Sequence, residues 1–239
     1  LVPEMQFSEL AKRGAKGDQR IEISISNTGE RSIATASARD ESPMRLTDGV
    51  EVAHYTVGEN SFEVSQKSFW QSHKDAPQVL TDAVLSYADL RVGDHVLDLY
   101  GGVGLFTAAV LSQIGETGAV DLVEGSKSAT SDATRNFIDS KNVTVITGDV
   151  TKVITRFSHA DVVVLDPPRE GAGKDVVENL ARIAPRTIVY VACDPAALAR
   201  DTAYLRDFGY ELEAIRAFDL FPMTHHIECV AKFVASKVS

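Results

Sequence analysis

The sequence predicts an α/β fold, a doubly wound and mostly parallel sheet preceded by a small β-rich region, and three observations carry that expectation. From residue 95 onward, short apolar runs alternate with helix-length segments. Those runs are continuous rather than alternating, as at 161–166 and 187–192, which is the pattern of strands covered on both faces. Before residue 75 the period is different: Ile21-Glu22-Ile23-Ser24-Ile25 alternates apolar and polar side chains, the mark of a half-exposed strand. The expected division is therefore 1–75 for the β-rich part and 76–239 for the α/β domain.

Taken in order, the front region offers strands at 21–25, 50–57 and 61–65, the last two set between Gly49, Gly58 and Asn60. Residues 26–48 are rich in Ser, Thr, Ala, Arg and Asp without clear periodicity and read mostly as loop, with room for one further strand. At Pro77 the period becomes helical. Val79, Leu80, Ala83, Val84, Tyr87 and Ala88 share one face, and Asp75 with Pro77 make a helix start. Strands are expected at 95–100, 119–124, 143–147, 161–166, 187–192, 212–218 and 227–234, with helices at 104–114, 126–140, 173–184 and 196–208. The last two strands are joined by a short Pro-containing link, so they should form an antiparallel hairpin at the sheet edge.

Composition narrows the function classes. With 239 residues, 44% of them hydrophobic, the chain can bury a full core. No apolar run has the length of a membrane span, and Leu1-Val2-Pro3-Glu4 lacks a signal-peptide layout, so a cytoplasmic location is expected. A first residue of leucine suggests a piece of a longer chain. Cys193 and Cys229 are the only cysteines, too few for a disulfide framework, and their spacing suggests no metal site. The net charge is -10, with -3 over residues 1–75 (9 basic, 12 acidic) and -7 over the rest (15 basic, 22 acidic). Phosphate contacts dominate nucleic-acid affinity, so strong autonomous binding of RNA or DNA is not expected.

Most of the segments with site chemistry end predicted strands. His95-Val96-Leu97-Asp98-Leu99-Tyr100 runs into Gly101-Gly102-Val103-Gly104, a strand followed by a glycine-rich turn and a helix start. Glu124 ends the next strand 20 residues after Gly104, where a carboxylate can accept hydrogen bonds from ribose hydroxyls. Phe106 and Thr107 break the full G-x-G-x-x-G pattern, which disfavours a pyrophosphate-binding dehydrogenase. Gly148-Asp149 follows the third strand, and Asp149 reads equally well as a turn residue. Asp166-Pro167-Pro168-Arg169 ends the fourth strand, where the prolines fix a rigid loop and let Asp166 project into a cleft. Cys193 follows the fifth strand. A lone cysteine is most often buried and inert, but here the other site-like segments end on the same rim. Strand alternation puts Glu228 on the face opposite Ile227 and Cys229. Trp70, beside Phe69, reads as core more readily than as a stacking platform.

Asp98-Leu99-Tyr100-Gly101-Gly102-Val103-Gly104-Leu105-Phe106 resembles the first motif of class I S-adenosylmethionine-dependent methyltransferases. That resemblance implies S-adenosylmethionine as cofactor, with Asp98 and Tyr100 among the residues that bind it, Gly102 and Gly104 lining its methionine portion, Glu124 on the ribose and Asp149 near the adenine. The ordered set Phe69-Trp70-Gln71, the glycine motif, Asp166-Pro167-Pro168-Arg169, Cys193-Asp194-Pro195 and the segment from Phe221 to Val230 resembles the RNA uracil-5-methyltransferase family over roughly residues 50–235. The resemblance implies an RNA substrate (tRNA or rRNA), Cys193 as nucleophile, Glu228 as general base, and Gln71 and Asp166 as contacts to the uracil ring.

The chemistry accounts for these residue types. Uracil C5 is too weak a nucleophile to take a methyl group directly, whereas thiolate addition at C6 turns it into an enolate. A carboxylate must then remove the C5 proton before the thiol can leave. Two departures matter. Asp194 stands where the family usually has Asn, and an ionised carboxylate there would disfavour the Cys193 thiolate, so it should point away or be neutralised by a cation such as Arg200. Within these residues nothing matches the N-terminal RNA-binding β-barrel or the cysteine-rich segment of many members. Together with the acidity, that predicts binding of the donor and weak hold on RNA. Two other readings stay open: an amino-methyltransferase using the Asp-Pro-Pro loop, and a non-catalytic RNA-binding protein on the same fold.

Overall fold

The computed structural model describes residues 19–38 and 44–236 of the chain, so the opening residues lie outside them. Two small antiparallel sheets come first. Strands β1 (Gln19–Ile25), β2 (Arg31–Ser37) and β3 (Arg45–Gly49) form one sheet, and β4 (Val52–Val57) with β5 (Asn60–Ser65) forms a hairpin that turns at the positive-φ Gly58. The segment 26–48 thus holds two strands where at most one was expected. The signal was weak because β2, Arg-Ser-Ile-Ala-Thr-Ala-Ser, buries mostly small side chains in the middle of its sheet.

Helix α1 (Ala76–Ala88) leads into a seven-stranded sheet: β6 (His95–Leu99), β7 (Ala119–Glu124), β8 (Val143–Thr147), β9 (Val162–Leu165), β10 (Thr187–Ala192), β11 (Tyr210–Phe218) and β12 (Glu228–Ala235). The spatial order is β11-β12-β10-β9-β6-β7-β8. Strands β6 to β10 are parallel, while β12 runs antiparallel between β10 and the edge strand β11. The expected edge hairpin is present, with β12 as its inner member.

Every residue of β9 and β10 is buried, which explains their unbroken β-branched runs. Helices α2 (Leu105–Ile114), α3 (Lys127–Asn136), α4 (Val150–Val153), α5 (Lys174–Ile183) and α6 (Pro195–Asp207) connect the parallel strands or follow them. On α5, Val176, Val177, Leu180 and Ile183 form the buried stripe of an amphipathic helix. The four-residue α4 and the 3-10 turn after it, Ile154–Arg156, are too short to show a period and were not expected.

Helix α3 stops four residues earlier than its sequence suggested, because Phe137 turns inward over Gly104. The two faces of the sheet carry two core clusters. The first includes Tyr55, Phe62 and Val64 of the β4–β5 hairpin together with Leu80 and Val84 of α1, so the hairpin packs as a cover on the large sheet. Chain order reverses between β6 and β9, the switch point at which open α/β sheets bind ligands beyond the carboxyl ends of their strands.

Candidate active site

That rim gathers the motifs. Parallel register puts the carboxyl ends of β6, β7, β9 and β10 side by side, so Tyr100, Gly125, Asp166 and Cys193 all emerge at one edge. Strand β12 begins at the same edge with Glu228. Ala192 pairs with Cys229, and one further step in that register sets Cys193 against Glu228, on the same face. Strand alternation alone gave Glu228 a face but not its burial. The residue is 7% exposed, because β11 covers the other side of β12.

Gln71 and Asp166 meet across a small cavity of ≈ 40 Å³, bordered also by Phe69, Trp70, Tyr100 and Gly102. Gln71 arrives from the loop after β5, far away in sequence. Cys193 and Glu228 do not line this cavity but lie close enough that Glu228 and Cys193 both share an electrostatic field with Asp166.

The turn after β6 has an unusual backbone. Tyr100 and Gly102 both have positive φ (61° and 56°), and a Cβ at Gly102 would project into open space. Gly104 serves another purpose, since a Cβ there would stand 2.2 Å from the Phe137 ring. Glu124 is tied to the turn: its Oε2 accepts from the Gly102 N–H at 3.1 Å and its Oε1 from the Ser126 N–H at 2.6 Å. Asp98 is 1% exposed. One of its oxygens, Oδ2, accepts from the Thr107 N–H and hydroxyl at 3.0 and 2.6 Å, while Oδ1 is buried without a partner. Asp149 is engaged at both oxygens: its Oδ1 caps α4 through the Thr151 N–H and hydroxyl and its Oδ2 lies 3.7 Å from Lys152, and it sits on the rim near enough to act on Tyr100.

The electrostatics are one-sided. Burial pushes Asp166 up to about 8, helped by the charges of Glu228, Asp98 and Glu124. Burial likewise holds Asp98 at about 7 against the lowering effect of Thr107. The Cys193 thiol is raised by burial and then by Glu228 and Asp166, and Glu228 is raised by its own burial. Arg169, from the Asp-Pro-Pro-Arg loop, is the cation that opposes these shifts at both Cys193 and Glu228. At neutral pH Asp98 and Asp166 are partly protonated, beside a thiol that keeps its proton.

Asp194 points away, as one branch of the expectation held. Its Oδ1 accepts from the Ala197 and Ala196 N–H groups at 2.9 and 2.8 Å and caps α6, which holds its carboxyl below the ordinary range. The cation that acts on it is Arg169 rather than Arg200, which bonds Asp201 at 2.8 Å and the Glu170 carbonyl at 2.6 Å. Asp201, fully buried, also accepts from the Tyr190 hydroxyl and the Ala172 N–H, so β10 and α6 together fix the loop that bears Asp166 and Arg169.

A second brace holds the Gln71 loop. Asp132 on α3 is 1% exposed and accepts from the Ser65 N–H, the Ser65 hydroxyl and the Ser68 hydroxyl, at 2.8 Å or less in each bond. Sequence reading missed it, because on a helix as polar as α3 a lone aspartate looks like part of the wet face. The motif pattern had included Arg169 without giving it a role. Trp70 packs on Tyr55 and Phe62, ring centroids 4.7 and 5.3 Å apart, as the core reading expected.

The strand order, the glycine turn and the acid at the end of the second parallel strand define the class I methyltransferase fold. Solved structures agree. The tRNA (uracil-54, C5)-methyltransferase of Pyrococcus abyssi, determined with S-adenosyl-L-homocysteine, superposes with a TM-score of 0.75 at 24% identity, over 92% of this chain and 60% of that one. The fold alone does not select a substrate, since a precorrin-6y C5,15-methyltransferase of Geobacter metallireducens also matches, with a TM-score of 0.58 at 16% identity over 72% of this chain and 93% of that one.

The chain belongs to the tRNA (uracil-5-)-methyltransferase family, whose model matches residues 51–235. It is 49% identical over 173 residues to an uncharacterised RNA methyltransferase of Streptomyces avermitilis, across 72% of this chain and 40% of that protein. It is 36% identical over 250 residues to one of Corynebacterium efficiens, across 98% of this chain and 58% of that protein. The chain thus spans about 40 to 60% of the length of these curated relatives. Among the described residues, no helix is long and apolar enough to cross a membrane.

Proposed function

We propose that this chain carries the catalytic unit of an enzyme that transfers a methyl group from S-adenosylmethionine to C5 of a uridine in tRNA or rRNA. The observation that carries the reading is the meeting of Cys193 and Glu228 at the mouth of the β6/β9 switch point, beside a cavity that Gln71 and Asp166 share.

The residues suit the cofactor. S-adenosylmethionine is a cation bearing an ammonium and a sulfonium, and the rim offers several carboxylates, one of them with an orphaned buried oxygen, Asp98 Oδ1. Asp98, Tyr100 and the Gly102 turn would hold the methionine portion, Glu124 the ribose, and Asp149 the adenine side. When bound, the cofactor supplies the methyl group that C5 receives.

The protein's own steps follow from the positions of its side chains. Cys193 gives up its proton to solvent and its sulfur adds to C6, while the C5–C6 electron pair moves toward the C4 carbonyl as an enolate. Asp166, protonated at neutral pH, can donate a hydrogen bond to a uracil carbonyl, and the Gln71 amide can pair with the ring's polar edge. Once C5 carries the methyl, Glu228 takes the C5 proton, and the returning electrons expel the Cys193 sulfur and restore the double bond. The β1–β5 region, whose following loop carries Gln71 to the reaction cavity, would contact the rest of the RNA.

RNA containing 5-fluorouridine tests the reading, since fluorine at C5 cannot be removed as a proton and the adduct persists. Incubated with donor, the wild-type chain should form a covalent complex that Cys193→Ser abolishes, while Glu228→Gln should slow release of methylated RNA more than methyl transfer. Normal turnover by Cys193→Ser would overturn the mechanism, and methyl on an exocyclic nitrogen would point to amino-group transfer through the Asp-Pro-Pro loop.

A further inference from the structure

A second cavity lies away from the sheet rim. It occupies ≈ 570 Å³ between β1 on one side and the β4–β5 hairpin with the 66–77 loop on the other, a size typical of sites that enclose a small molecule. Trp70 and Gln71 border both this cleft and the reaction cavity, so a single pair of adjacent residues forms the partition. That partition is fixed. Trp70 is stacked on Tyr55 and Phe62, and Ser65 and Ser68 at the cleft's edge are held by Asp132.

The polar groups that face the cleft indicate what it takes. Among the described residues, the side chains of Glu22, Glu51, Gln66 and Gln71 have no hydrogen-bond or ion-pair partner. Among the described residues Lys74 is the lining cation, and it stands 4.0 Å from Asp75. Two carboxylates against one shared lysine repel a phosphate. They suit the opposite kind of group, an uncharged amine that needs acceptors. Exocyclic amino groups of cytosine and adenine are read by carboxylates and by side-chain amides, and uracil has none. Single-stranded RNA is recognised by splaying its bases into separate pockets.

We infer that the cleft between β1 and the β4–β5 hairpin is a second nucleoside subsite, which receives an amino-bearing base next to the target uridine while Gln71 and Trp70 separate the two. This rests on the proposed uridine-methylating reading of the rim. It gives the N-terminal strands a task in specificity: the enzyme selects its uridine partly by the identity of a neighbour.

Trp70 is the single tryptophan of the chain, so its fluorescence reports on the partition directly. The probes are dinucleoside monophosphates that join uridine to adenosine, cytidine, guanosine or a second uridine, in both orders. At least one amino-bearing dinucleotide should quench Trp70 saturably, and about fivefold or more tightly than the uridine–uridine pair, as one base-edge contact predicts. Glu51→Gln and Gln66→Ala, with unchanged melting temperatures, should each erase most of that preference. Equal binding of all dinucleotides, or a preference that survives both variants, would overturn the subsite. The 5-fluorouridine adduct separates the two ideas: an adduct without dinucleotide preference removes the subsite alone, and a preference without an adduct removes the methylation reading alone.

Discussion

The two ends of the central sheet treat the same residue type in opposite ways. At the amino ends of β6, β9 and β10, burial alone would raise the pKa of Asp94, yet it is lowered, because Arg186 and the Arg91 N–H outweigh that burial. Arg186 Nη1 bonds Asp94 Oδ1 at 2.9 Å and lies 3.6 Å from Asp161, and His95 bonds Asp121 at 2.7 Å. At the carboxyl ends of the same strands, Asp98 and Asp166 have no cation of their own and are pushed up to about 7 and about 8. A paired acid holds the sheet together. An unpaired one strains the ligand-free fold and leaves an electrostatic demand that a cationic ligand can meet.

Removing the paired end's cation should have the largest effect on stability. Arg186→Ala strands the Asp94 carboxylate, 5% exposed, and should destabilise the chain by about 2–3 kcal/mol near neutral pH. Urea denaturation measures it, and a loss of only a few tenths would mean that Asp94 finds water or another donor.

The pH profile sharpens the contrast, since the two ends titrate with opposite sign. Asp98 and Asp166 bind protons more tightly when folded than when unfolded, so stability should fall as pH rises from about 4 through about 8. The lowered Asp94 adds stability above its unfolded pKa of 3.8 that is lost as pH falls further. The ligand-free melting temperature should therefore be highest in mildly acidic solution, and a maximum above pH of about 8 would contradict this. Because His95, raised by its bond to Asp121, also loses its contribution as pH rises, the slope needs a variant to apportion it.

Asp166→Asn is that variant. It removes an acid that must ionise in a half-buried, cation-poor place, so the ligand-free protein should melt higher than wild type at alkaline pH with a flatter profile, while turnover is lost. An unchanged slope would assign the pH dependence elsewhere. The smallest change is expected for Thr107→Val, which takes one hydroxyl donor from Asp98 and should cost about 1 kcal/mol above neutral pH, with the Asp98 titration moved further up by NMR.

Much of this architecture was legible beforehand. Continuous apolar strands such as β9 and β10 announce a covered parallel sheet, and the motifs at their ends are short because each must fit one turn between a strand and a helix. The failures share a cause. Of β2 and β3 only one was allowed for, because the small residues of β2 give little hydrophobic contrast, and α4 was missed because four residues show no period. Asp132 and Arg200 were misjudged since a charged side chain on a helix says nothing about which loop will close over it. Arg200 was offered as one cation that could neutralise Asp194, nearby in the sequence, when its partners are Asp201 and the Glu170 carbonyl.

The sequence by itself determined the sheet, the glycine turn and the order in which Gln71, Asp166, Cys193 and Glu228 occur, because those depend on local periodicity and on turn chemistry. Only the tertiary structure decided that Glu228 is covered, that Asp98 keeps an orphaned oxygen, that Asp194 is spent on a helix cap and that a second cleft opens behind Trp70. Burial and pairing are properties of segments brought together across long stretches of chain, and the pKa of a carboxylate depends on those neighbours rather than on its place in the sequence.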